Sequence, residues 1–126
     1  MNYILLIPNL DSRAPNKVAV EIFKNLSSRC LEKKIYYTGK EFDSSNFLDA
    51  TPKKLSYRIF KSFSSDCIIH SHGFIPDLLN ICSCLFKKNN QIRITTVHSL
   101  ILEDLKDSKN TIIANLIAFV WFKVLS

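Results

Sequence analysis

Short apolar runs alternate with stretches of helical periodicity along this chain, and that alternation fixes the class of fold it can adopt. Ile4-Leu5-Leu6-Ile7 is a continuous apolar run closed by Pro8-Asn9, the pattern of a strand buried on both faces of a parallel sheet. Val18, Ala19, Ile22, Phe23, Leu26 and Cys30 then recur at helical spacing, with Lys24 and Arg29 outside and Pro15 near the first turn. Ile35-Tyr36-Tyr37-Thr38 predicts a second strand stopped by Gly39, and the polar stretch from Lys40 to Ala50 receives no element. Thr51-Pro52 predicts a new helix, with an N-cap hydroxyl, proline at the first helical position, and Leu55, Ile59, Phe60 and Phe63 as its apolar residues. Cys67-Ile68-Ile69 predicts the next buried strand. Pro76 and Asp77 then start a helix that packs Leu78, Ile81, Cys82, Leu85 and Phe86, and a strand follows from Ile92 to Val97. The last helix begins near Lys109 and is expected to bury Ile112, Ile113, Leu116, Ile117 and Val120. Strands alternating with helices imply βαβ units, hence an α/β fold with a parallel sheet and flanking helices. The 126 residues correspond to one domain, 1–126.

Composition narrows the function classes. A hydrophobic content of 47% against 22% charged residues excludes a disordered chain. Only Gly39 and Gly73 are glycine, so a Gly-rich phosphate loop is excluded as well. Seventeen basic against eleven acidic side chains give a net charge of +6, which favours anionic partners; nucleic acid is not expected among them. Cys30, Cys67, Cys82 and Cys84 lie in apolar stretches with no Cys-x-x-Cys pair and read as small core residues with reduced thiols, as in the cytoplasm. The apolar run from Tyr3 to Pro8 is too short for a signal sequence. Asn110 to Phe122 carries no charge but falls short of the roughly 20 residues that span a bilayer, so a buried helix is expected there.

In parallel α/β sheets, ligands bind outside the carboxyl ends of the strands. All three histidines, His70, His72 and His98, fall at predicted strand ends. A single histidine there is ordinarily a hydrogen-bonded residue at a core edge; three together mark the edge as a candidate site. His70-x-His72 would make a metal half-site with Asp77 or His98 as further ligands, but the chain has no established metal motif and no metal or other cofactor is expected. A Gly-x-Ser-x-Gly nucleophile elbow is absent too. At about 100° per residue, Lys53, Lys54, Arg58 and Lys61 occupy one arc of the predicted 51–63 helix, opposite its apolar residues. Such an arc is a solvated surface or, in the sharper reading, a contact with an anionic membrane.

Three ordered segments carry a resemblance: Ile4 to Asn9 followed by Lys17-Val18-Ala19; Asp66 to Gly73, reading Asp-Cys-Ile-Ile-His-Ser-His-Gly; and Thr95-Thr96-Val97-His98-Ser99. In this order the chain resembles the amino-terminal domain of family-4 retaining glycosyltransferases of GT-B fold, over nearly its full length. The resemblance implies a Rossmann-like domain that shapes the acceptor side of a cleft, while a second domain holds most of the nucleotide-sugar donor. It implies a sugar-orienting, catalytic role for His98 and substrate contacts for Asn9, Lys17, His72, Gly73 and Ser99. Members often build glycans at the cytoplasmic face of the membrane, which would suit contacts by Lys53, Lys54, Arg58 and Lys61.

Two departures qualify the resemblance. Where the family has a Gly-Gly pair and an acidic residue after the first strand, this chain has Arg13-Ala14 and Asn16, whose side chains crowd the approach. The donor-binding domain has no counterpart in 126 residues, and the family's first domain normally continues into another strand. The expected function is therefore the acceptor-side part of a sugar-transfer enzyme, inactive without a donor-binding domain or subunit, with a nucleotide sugar and a glycan or lipid-linked acceptor as substrates of the complete enzyme. The alternatives are a non-catalytic interaction or membrane-recruiting subunit and a small metal-dependent α/β hydrolase using His70 and His72.

Overall fold

The computed structural model describes residues 1–11, 13–26, 32–42, 51–63, 66–86, 90–97 and 110–125. Five strands, β1 (Asn2–Ile7), β2 (Lys33–Tyr37), β3 (Lys53–Lys54), β4 (Cys67–His72) and β5 (Ile92–Thr96), pair in parallel in the order β3-β2-β1-β4-β5. Among the described residues four helices accompany them: α1 (Ala14–Asn25), α2 (Tyr57–Lys61), α3 (Phe74–Phe86) and α4 (Thr111–Leu125). The fold is thus α/β, with a Rossmann-like all-parallel sheet. Two compact units make up the chain: Met1–Thr96, which contains the whole sheet, and Val97–Ser126, which contains α4.

Strand β1 runs through the middle of the sheet because its run is apolar at every position, so both of its faces can be covered. Tyr3, Leu5 and Ile7 pack with Ala19, Val20 and Phe23 of α1 on one face. Ile4 and Leu6 pack with Cys67, Ile69 and Phe63 on the other, where Ile59 and Phe60 of α2 close the cluster. Burial of Leu5, Leu6 and Ile7 is complete, and each such side chain stabilises the fold by about 1.5–3 kcal/mol.

The predicted 51–63 helix divides in two. Lys53 and Lys54 are extended and pair with Tyr36 and Tyr37 at the sheet edge, and the Leu55 N–H donates to the Tyr37 carbonyl at 2.8 Å. The ladder offered by β2 outweighs the local cap signal of Thr51-Pro52, and lysines on so short an edge strand discourage further pairing. The helix starts one turn later, where the Ser56 hydroxyl accepts the Ile59 N–H. Ser56→Ala should cost about 1 kcal/mol, read as a small fall in thermal midpoint; no fall would mean that tertiary packing alone holds α2.

Three packing expectations also change. In α1, the buried positions are Asn16, Ala19, Val20 and Phe23, whereas Val18 and Ile22 are exposed. Helix α3 begins at Phe74 and turns polar residues inward: Asp77, Asn80 and Ser83 are buried, and Leu78, Ile81 and Cys82 only half-buried. Asn80 Nδ2 donates to Ser71 Oγ and to the carbonyls of Ile69 and Ile94, so hydrogen bonding to β4 and β5 decides which side of α3 faces the sheet. Helix α4 exposes Ile112, Ile113, Leu116 and Val120, and its buried positions are the small Ala114 and Ala118. A helix apolar on all sides gives no stripe from which the inward face can be read. No helix among the described residues is long and apolar enough to cross a membrane. Of the cysteines, Cys67 is a buried free thiol and Cys82 a half-buried one; Cys30 and the side chain of Cys84 lie outside the described residues.

Candidate functional site at the β1–β4 switch point

The strand order reverses direction at β1, because the chain leaves β1 towards β2 and β3 and returns on its other side as β4. Such a reversal splays the connections apart and opens a crevice at the carboxyl ends of the two strands. Here the place for that crevice is where Pro8–Asp11, after β1, meet His72 and Gly73 at the end of β4. Gly73 has φ 88°, a left-handed conformation that disfavours a side chain, and a Cβ built on it would sit 3.6 Å from Pro8 Cγ.

The turn after β1 is held by its own polar side chains. Asp11 accepts hydrogen bonds from Arg13 N (3.2 Å), Arg13 Nε (2.7 Å) and Asn16 Nδ2 (2.6 Å), and Arg13 completes an ion pair at 2.6 Å. Burial disfavours the ionised carboxyl, but the bonds from Arg13 and Asn16 and the guanidinium charge outweigh it and hold Asp11 below the ordinary aspartate range. A depressed folded-state pKa contributes stability that is present above the unfolded value, about 3.9, and is lost as pH falls through the folded one. Asp11→Asn should therefore remove part of the acid-side fall in thermal midpoint; identical acid limbs in the two proteins would contradict the pairing.

The expected site residues distribute unevenly over this geometry. Asn9 is part of the frame: its Oδ1 accepts the Lys40 N–H at 2.8 Å, and its carbonyl accepts Asn16 Nδ2 at 2.9 Å. Lys17 is exposed in the second turn of α1. His72, 1% exposed, ends β4, and Gly73 follows it into the crevice. His98 and Ser99 lie outside the described residues. Lys53 and Lys54 sit on β3, Arg58 and Lys61 on α2, all exposed, and the single helical arc expected to gather them does not exist.

His70 stands two residues inside β4, where it is buried. Its Nδ1 is 2.5 Å from the Tyr3 hydroxyl and its Nε2 is 2.6 Å from Thr96 Oγ1. Both ring nitrogens are therefore engaged with hydroxyls, which can donate or accept as the tautomer requires. That removes His70 from the proposed metal pair, although its ring centroid lies 4.4 Å from that of His72. Among the described residues no group of three or more His, Cys, Asp or Glu side chains could hold a metal ion.

The chain matches no protein-family model, no curated protein and no solved structure. The site is therefore read from its own geometry. Sequence inspection missed Asp11 as the residue that organises the β1–α1 turn; the available signal was an acid three residues before the helix start, followed by Arg13 and Asn16.

Proposed function

We propose that this chain forms the acceptor side of a sugar-transfer enzyme and works with a donor-binding domain carried elsewhere. The observation that supports this reading most is the parallel switch point between β1 and β4. Two of the three segments that resemble the family-4 glycosyltransferases, Ile4–Asn9 and Asp66–Gly73, lie side by side there in a parallel sheet. In the complete reaction, catalysis rests on holding donor and acceptor together and on stabilising charge on the departing nucleotide diphosphate. This chain would position the acceptor, and the donor domain would hold the diphosphate.

The purified chain should release no nucleotide from a panel of nucleotide sugars, and fusion to a family-4 donor-binding domain should produce release that depends on His98. In that fusion His98→Ala should lower turnover by more than it lowers folding stability, each tenfold loss of rate corresponding to about 1.4 kcal/mol. Turnover by the chain alone, or an unchanged rate in His98→Ala, overturns the assignment. The exposed apolar side chains of α4 favour a second reading, a non-catalytic subunit that docks on a partner; it predicts a fusion with no turnover.

A further inference from the structure

The amino-terminal end of a helix that follows the first strand of a parallel sheet is the usual seat for a phosphate, because free N–H groups and the helix dipole converge there. In this chain the side-chain donors beside that seat, and the Arg13 N–H, are turned to Asp11. Arg13 N, Arg13 Nε and Asn16 Nδ2 all donate to Asp11, and Asn16 Nδ2 also serves the Asn9 carbonyl. Pro15 removes one further N–H from the first turn. The polar atom left over is an acceptor: Asn16 Oδ1 is buried and has no hydrogen-bond partner. An incoming anion would meet a carboxylate and an amide oxygen where it needs donors.

We infer that Asp11 is a specificity-determining residue that occupies the anion seat of the β1–α1 turn and excludes phosphate groups from it. This deepens the proposed acceptor role by limiting what reaches the turn to uncharged, hydroxyl-bearing groups. Arg13, whose side chain is 68% exposed, is held back from phosphate by its pairing with Asp11.

The test is titration with inorganic phosphate, followed by calorimetry and amide-resolved NMR. Wild type should show no saturable binding. Asp11→Asn removes the carboxylate charge and with it the ion pair that holds the guanidinium, so it should bind phosphate saturably, at least about tenfold more tightly than the weakest binding the titration can detect. That gain should map to the amides of Arg13, Ala14, Asn16 and Lys17 and disappear in Asp11→Asn/Arg13→Gln; Asp11→Ser provides a second route if the asparagine variant does not fold. Saturable phosphate binding by wild type that Arg13→Gln abolishes would overturn the inference, as would folded Asp11 variants with no gain. Because the probe is phosphate itself, these outcomes do not depend on whether the crevice takes a sugar acceptor.

Discussion

Gly39→Val should destabilise the sheet by about 3 kcal/mol. Gly39 follows β2 and its N–H donates to the Pro8 carbonyl at 2.7 Å, which ties the connection after β2 to the one after β1. A Cβ at this position would lie 2.8 Å from that same carbonyl oxygen and would press into Asn9 Oδ1. The Asn9 side chain can swing away, at the loss of its bond from Lys40 N, but the Pro8 carbonyl cannot move without bending the end of β1. A double-mutant cycle with Asn9→Ala separates the two costs: the part due to Asn9 should be absent in the double variant, and the part due to Pro8 should remain. Urea midpoints for the four proteins give the result directly. A Gly39→Val protein as stable as wild type would mean that the two connections are not packed as described, and the frame of the crevice would fall with them.

His70→Leu is expected to cost about 2–4 kcal/mol, because it removes the partner of two hydroxyls on neighbouring strands while leaving the site filled. Tyr3 and Thr96 each lose their bond to an imidazole nitrogen. Tyr3→Phe removes only one of these and should cost about 1 kcal/mol, and the two substitutions together should cost less than their sum. The size of the effect decides what kind of histidine this is. A residue that braces β1, β4 and β5 appears in stability, whereas one reserved for a ligand could be replaced by leucine at little cost to folding.

The backbone plan was legible because it depends on strong local patterns. The run from Ile4 to Ile7 can only be a strand covered on both sides, and it became the middle of the sheet. What was not legible was set by partners distant in sequence. Lys53 and Lys54 fit an amphipathic helix as well as a strand, and the free edge of β2 chose between them. In α3 the hydrophobic pattern pointed Leu78 and Ile81 inward, yet Asn80 and Ser83 face the sheet because Ser71, Ile94 and Arg93 offer hydrogen bonds that no local rule contains. At the site, His72 and Gly73 were visible as strand-end residues. Asp11 was not, because its importance lies in the donors that the fold brings round it.

The central claim is that the β1–β4 crevice receives a hydroxyl-bearing acceptor and leaves the nucleotide to another domain. Amide-resolved NMR of the chain, titrated in parallel with neutral oligosaccharides and with nucleotide sugars, tests it most directly. Oligosaccharide-dependent shifts should cluster on residues 8–17 and on His72 and Gly73, with no saturable response to the nucleotide sugars. Saturable nucleotide-sugar shifts at those amides, or oligosaccharide shifts confined to the opposite, amino-terminal ends of the strands around Asn2, Glu32 and Lys34, would contradict it.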